Sequence, residues 1–372
     1  MLKCVEVSNF KGFNDKVKFS LEQSKNYEFN SNNIVNGVVN KGIIYGKNGA
    51  GKSNLGLAIF DIVTNITDKT VANYYYGSYL NAEGKTNTAS FVFYFKFDGG
   101  NVAYEYEKSD FKKLVSERLK INDRIVIEYD RRLGIKANFS LAGTEQLRDE
   151  VGDSPVSIIS YVRNNAILED NDENALFHDF VNFVDKMLYF RSLEDNRYIG
   201  IENGARNICQ DIVEHGNVAD FQNFLNNAGI ECSLIEVVNS EGKKTIAFDF
   251  GERKVPFFSI ASTGTTSLAL FYFWLQRMKD KDAVSFVFID EFDAFYHHEL
   301  SVAIVNELKK LDAQVLLTTH NTSIMSNELL RPDCYFIMKD NKVVTIADST
   351  EKDIRSAHNL EKMYKAGTFN HG

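Results

Sequence analysis

The sequence predicts an α/β fold with a mostly parallel core sheet, and three observations predict it. Gly42-Ile43-Ile44-Tyr45 is an apolar run leading into Gly46-Lys47-Asn48-Gly49-Ala50-Gly51-Lys52-Ser53, after which Leu55, Leu57, Ala58, Ile59 and Ile62 recur at helical spacing. Val284-Ser285-Phe286-Val287-Phe288-Ile289 is a second strand-sized apolar run, and it ends in two acids, Asp290 and Glu291. From Thr265 to Met338, helix, strand, helix and strand patterns alternate, as parallel strands with crossover helices require.

In chain order, residues 2–46 read as antiparallel strands, with period-2 alternation in Val17-Lys18-Phe19-Ser20-Leu21 and a polar loop around 24–33. After the helix that begins near Lys52, residues 89–97 and 102–106 predict a hairpin around Asp98-Gly99-Gly100-Asn101, and 124–129 add a strand. Residues 156–227 read as helical. There Leu176, Phe177, Phe180, Val181, Phe183, Val184, Met187 and Leu188 share one amphipathic face. Strands at 233–238 and 245–250 flank the turn Asn239-Ser240-Glu241-Gly242, and Pro256 closes the middle region. The expected division is a core made of 1–87 and 251–372, with 88–250 inserted as a compact β and helical lid. There is no internal repeat, low-complexity tract or long heptad run.

With 372 residues, 44% hydrophobic and 25% charged, the chain can bury one large core or two modest ones. A net charge of −9 argues against indiscriminate binding to polyanions. The longest apolar stretches fall far short of the roughly 20 residues that cross a bilayer. Met1-Leu2-Lys3-Cys4-Val5-Glu6-Val7 alternates like a strand and lacks the features of a signal peptide, so a cytoplasmic location is expected, without membrane contact. Cys4, Cys209, Cys232 and Cys334 are scattered, with no CxxC pair to hold zinc, and read as packing residues.

The glycine-rich segment has the spacing of a phosphate-binding loop. Glycines let successive backbone N–H groups turn toward one anion, and the following helix adds its positive end. Asn48, Gly49, Ala50, Gly51, Lys52, Ser53 and Asn54 are therefore candidate nucleotide contacts, with Lys52 reaching the β- and γ-phosphates and the Ser53 hydroxyl on Mg²⁺. Asp290 is the second candidate Mg²⁺ ligand and Glu291 a candidate base for the attacking water, although strand-end acids also serve as helix caps. A third apolar run, Gln314-Val315-Leu316-Leu317-Thr318-Thr319, ends at His320, a candidate γ-phosphate sensor, before a helix expected at Thr322. Ser262-Thr263-Gly264-Thr265-Thr266 opens an apolar helix and offers either a second anion site or a plain serine cap.

This order of motifs resembles the ABC-type ATPases of the SMC, Rad50, RecF and OLD group. Val7-Ser8-Asn9-Phe10-Lys11-Gly12-Phe13 looks like that group's opening strand and loop, near the nucleotide base, which adds Lys11 to the candidates. Residues 290–298 look closest to the OLD-like branch, AAA15. Arg331-Pro332-Asp333 and 359–369 are similar to endings in ATPase subunits of bacterial anti-phage modules of the PARIS, Septu and AbiL type. The resemblance implies an ABC-type P-loop ATPase head that uses ATP and Mg²⁺. It also implies that Ser262 and Gly264 close the γ-phosphate site of a neighbouring subunit, so that a homodimer or higher homo-oligomer sandwiches ATP.

Thr263 and Thr265 depart from the common LSGGQ form, and neither Gln146 nor Gln210 sits where the group's glutamine loop belongs. The 53–262 interval lacks the heptads and CxxC of Rad50, and about 50 residues follow His320, too few for an appended nuclease domain. A separate effector protein, a nuclease or toxin, is the expected partner. A RecF-like DNA clamp is the alternative, with Arg118, Lys120, Arg124, Arg131, Arg132 and Lys136 as its basic cluster, unless these form a solvated charged face. A nucleotide-bound scaffold that does not hydrolyse is the third reading. His297 and His298 read, by the resemblance, as part of a dimer-facing loop rather than a metal site.

Overall fold

The computed structural model describes residues 1–67, 69, 76–134, 136–151, 156–192, 198–200 and 207–369. The chain opens with β1 (Leu2–Ser8) and β2 (Val17–Ser20), passes the short pair β3 (Ile34–Val35) and β4 (Val38–Val39), and enters β5 (Lys41–Tyr45). The glycine-rich loop then feeds α1 (Lys52–Ile66). Next come β6 (Ala89–Phe97), β7 (Gly100–Asp110), β8 (Lys113–Ile121), β9 (Arg124–Asp130) and β10 (Asn138–Phe139), then α2 (Ile158–Asn165) and α3 (Asp172–Asp185). After β11 (Met187–Arg191) and β12 (Tyr198–Gly200), α4 (Ile208–Glu214) and α5 (Val218–Asn227) precede a small sheet of β13 (Leu234–Val238), β14 (Lys244–Asp249) and β15 (Lys254–Pro256). The last third holds α6 (Phe257–Ile260), α7 (Thr263–Met278), β16 (Phe286–Asp290), α8 (His298–Lys309), β17 (Gln314–Thr319), β18 (Tyr335–Lys339), β19 (Lys342–Thr345) and α9 (Leu360–Lys365).

Two large sheets result. The core sheet runs β12-β11-β16-β17-β5-β18-β19, parallel from β11 to β18 and antiparallel at both edges. Every residue of β5, β16 and β17 is buried, which is why these strands read as continuous apolar runs rather than alternations. The outer sheet runs β10-β9-β8-β7-β6-β1-β2 and is antiparallel throughout, with one face buried at every second residue of β6. The fold is thus the mixed α/β one that the sequence predicts.

Three features differ from the sequence expectation. Met187 and Leu188 do not extend the amphipathic helix: α3 ends at Asp185 and β11 begins at Met187, its residues 187–191 aligned in parallel with 286–290 of β16. A run buried on both faces has no period by which to tell strand from helix. The strands after residue 88 extend the sheet begun by the N-terminal strands, since β6 pairs with β1, Val5 opposite Phe93. The helix expected at Thr322 is one 3₁₀ turn, Thr322–Ile324.

Helix α1 lies between the two sheets. On the core side a Cβ at Gly56 would come within 2.7 Å of the Phe288 ring and 2.9 Å of the Tyr189 ring, so only glycine allows this approach. On the outer side Asp61, wholly buried, accepts hydrogen bonds from the hydroxyls of Tyr79 (3.1 Å) and Tyr106 (2.9 Å) and pairs with Lys108 at 3.0 Å. Gln314 ties the sheets directly: its Oε1 accepts from the Leu2 N–H at 2.9 Å, and its Nε2 donates to the carbonyls of Leu2 and Val39, each at 2.8 Å. Among the described residues no helix is long and apolar enough to cross a membrane.

Candidate functional site

Parallel pairing brings the predicted motifs to one edge. Tyr45 lies opposite Thr319 and Ile289 opposite Leu317, so Gly46 and His320 leave their strands at the same level, and β16 ends at Asp290, two residues short of it, on the same edge of the sheet. With neighbouring strands about 4.8 Å apart, the acids stand roughly 10 Å across the sheet from the strand that carries the loop.

The loop has the backbone an anion cradle needs. Gly49 and Gly51 adopt φ of +80° and +101°, and Gly51 is the N-cap of α1. No side chain caps this helix, so its first N–H groups face outward with the helix dipole behind them. Lys52 is buried, its ammonium donating to the carbonyls of Gly46 (2.7 Å) and Lys47 (3.2 Å). Burial holds its pKa below the usual lysine value, and the nearby Asp290 and Glu291 oppose that shift. A desolvated cation held by carbonyls alone, beside uncapped amides, suits a polyphosphate. Asn48 and Gly49 form the exposed tip, while Ala50, Ser53 and Asn54 are half-buried.

At the end of β16 the carboxylate of Asp290 is wholly buried. Its Oδ1 accepts from the Thr318 hydroxyl at 2.6 Å, and its Oδ2 lies 3.0 Å from Nε of Arg191. Glu291 adopts φ +52°, a conformation that costs a non-glycine residue about 1 kcal/mol or more. Its N–H donates to the same Thr318 hydroxyl at 2.8 Å, and its Oε2 lies 3.2 Å from Nη2 of Arg191. The acids are not a helix cap, because the next helix, α8, is capped by His297, which accepts from the Leu300 N–H. Ser53 and Asp290 offer a hydroxyl and a carboxylate, hard oxygen donors that fit Mg²⁺.

His320 is exposed and follows Thr319, whose hydroxyl donates to Asp293 Oδ1 at 2.6 Å. Burial raises the Asp293 pKa, and His320 nearby works in the opposite direction. Ser262 caps α7, accepting from the Thr265 N–H at 3.1 Å, and Gly264 packs against Phe295 in the loop after β16. The Lys11 ammonium donates to the Gly77 carbonyl at 3.0 Å. The opening segment meets the loop through the Phe13 ring at Gly51 and through Gly12 at Asn54.

Sequence reasoning missed Arg191, which bridges both acids from the end of β11. The signal was present, since Met187-Leu188-Tyr189-Phe190 ends in Arg191 as the Walker B run ends in Asp290. Neither glutamine considered earlier takes this place: Gln146 is an exposed loop residue, and Gln210 on α4 donates to Glu214. His297 faces Glu299 and His298 faces Ser323, and no group of three potential metal ligands occurs among the described residues.

Strand ends carrying a phosphate loop, an acid pair and a histidine define a P-loop protein of the Walker A and Walker B kind. Within that class, the chain belongs to the AAA domain family described as putative AbiEii toxin, Type IV TA system, whose profile matches residues 43–326. Among solved structures it is similar to an SMC head bound to the C-winged helix domain of ScpA, at 15% identity and a TM-score of 0.47, covering 98% of this chain and 99% of that one. It is also similar to the SMC head domain from Thermotoga maritima (14%, 0.42, 92% and 98%) and to the recombination mediator RecF with ATPrS (12%, 0.39, 93% and 98%). No curated protein sequence matches it.

Proposed function

We propose that the chain is an Mg²⁺-dependent ATP-hydrolysing switch subunit of a bacterial defence module, working as an ATP-sandwich homodimer or higher assembly that holds a separate effector. The observation that carries the reading is the meeting of Lys52, Asp290, Glu291 and His320 at one edge of the core sheet, with Arg191 and Thr318 fixing the acids. Lys52 and the loop amides hold the triphosphate. Ser53 and Asp290 would hold Mg²⁺, which would supply neutralisation of the phosphate charge, while Glu291 orients water and His320 contacts the terminal phosphate. Ser262 and Gly264 serve the partner's nucleotide, and Lys11 joins the site only by leaving Gly77. The division at 1–87, 88–250 and 251–372 belongs to this reading as a division of the chain, with β6 to β10 on the N-terminal sheet and β11 and β12 in the core sheet, as does a cytoplasmic location. The family's description as a toxin of a Type IV TA system agrees with a defence role.

One observation weighs against the RecF-like alternative. Arg118 pairs with Glu105 and Glu128, Lys120 with Glu105, Arg124 with Glu173, Arg132 with Glu107 and Asp130, and Lys136 with Asp149. A face neutralised in this way has little charge to offer phosphates.

Phosphate release and gel filtration with Mg²⁺-ATP test the proposal. Lys52→Ala should lose nucleotide binding, whereas Glu291→Gln should bind ATP, release phosphate at least a hundredfold more slowly and accumulate as a dimer or larger species. An unchanged monomer for wild type and Glu291→Gln alike would refute the sandwich, and unchanged phosphate release in Glu291→Gln would refute its role.

A further inference from the structure

The strand order sets a direction for any nucleotide on the loop. The acids and His320 lie to one side of β5, on β16 and β17, while β18 and β19 lie on the other. A triphosphate whose terminal phosphate faces Asp290 and Glu291 therefore sends its nucleoside end toward β18 and β19. On that flank a cavity of about 650 Å³ opens directly against the outer face of the loop. Its walls include Lys47 and Gly49 from the loop, Met338 and Lys342 from the β18–β19 hairpin, and Tyr364 and Phe369 from the C-terminal segment.

The C-terminal wall is fixed in place. The Asn327 side chain donates to the carbonyls of Arg355 and His358, each at 3.0 Å, and the Asn359 side chain caps α9 by accepting from the Lys362 N–H at 2.8 Å. Beyond α9 the chain reverses, the Thr368 N–H donating to the Met363 carbonyl at 3.0 Å, and this returns Phe369 to the cavity, where it is buried. Aromatic rings and a thioether thus face a loop built for phosphate. Lys47, Lys339 and Lys342 surround the cavity against the single carboxylate of Asp340, and none of these lysines is held in an ion pair among the described residues. Flat apolar walls beside excess positive charge match a base and ribose joined to phosphates.

We propose that this cavity takes the base and ribose of the bound nucleotide, with Tyr364 and Phe369 of the C-terminal segment as its outer wall. The inference rests on the P-loop reading above and adds that the tail sets affinity for the nucleoside part alone.

Titration calorimetry with two ligands, ATP and inorganic tripolyphosphate, separates the two claims, since tripolyphosphate fills the loop and leaves the cavity free. Tyr364→Ala is expected to weaken ATP about tenfold, the loss typical of one base–aromatic stack, and to leave tripolyphosphate unchanged. Tyr364→Phe, which keeps the ring, should bind ATP within twofold of wild type, and Lys52→Ala should weaken both ligands. Lys342→Glu, at an exposed position, gives a second readout that does not depend on packing and should also weaken ATP. If Tyr364→Ala and Lys342→Glu bind ATP as wild type does, or if Tyr364→Ala loses both ligands equally, the cavity assignment is wrong while the loop reading stands. If wild type binds neither ligand, the loop reading itself fails.

Discussion

Replacing Gly51 by alanine tests how tightly the loop is bound to its surroundings, and Gly49→Ala provides the control. Both glycines have positive φ, which costs an L-residue about 1–2 kcal/mol, partly offset by the 0.4–1 kcal/mol that alanine gains by restricting the unfolded chain. At Gly49 nothing lies within 4 Å of a new Cβ, so the net loss should be about 1 kcal/mol. At Gly51 the Cβ would meet Met338 Cε at 2.9 Å and the Phe13 ring at 3.0 Å. The methionine end can swing aside, but the Phe13 ring is completely buried, so overpacking adds at least about 1 kcal/mol. Gly51→Ala should therefore cost about 2–3 kcal/mol. Urea unfolding followed by fluorescence of Trp274, the sole tryptophan and fully buried, measures both variants without nucleotide. Losses equal within 0.5 kcal/mol would refute the contact argument, because strain alone would then explain both.

Two further perturbations follow. Asp61→Leu strands the Lys108 ammonium between α1 and the outer sheet and should cost about 3–5 kcal/mol, while adding Lys108→Met should recover much of it; simple additivity in urea would show that the pair is not coupled. Lys41, whose ammonium donates to the carbonyls of Leu311 and Ala313, has its pKa lowered by burial from 10.5 to about 8. Between those values the unfolded chain binds the extra proton, so the lysine's contribution to stability rises with pH by about 3 kcal/mol from pH 8 to 10.5. Subtracting the curve of Lys41→Met cancels other titrations, and a flat difference across that window would contradict the assignment.

The phosphate loop, the acid pair and the N-terminal and hairpin strands were legible because each carries its own local signal: glycine spacing, acids after an apolar run, alternation, turn chemistry. β11 was hidden because residues buried on both faces lose their period, and Arg191 was hidden with it. The neutralisation of Arg118 was illegible for another reason. Its partners Glu105 and Glu128 lie on β7 and β9 and meet it only through strand register, which a list of positive residues does not contain. The Asp61–Lys108 pair joins a helix to a strand more than 40 residues away. Lys11 came from the resemblance alone, and its ammonium donates to the Gly77 carbonyl.

The place of β5 in the core sheet has a consequence for synthesis. The ribosome completes this strand by residue 45, but its two neighbours are β17 and β18, the first of which begins at residue 314. At about 5–20 residues per second, the phosphate loop waits roughly 15 to 50 seconds for the strands that frame it. Throughout that interval β5 has two unpaired edges, a template for wrong strand pairing. Truncated translation products that stop before residue 314 would carry an intact glycine motif without the strands that frame it.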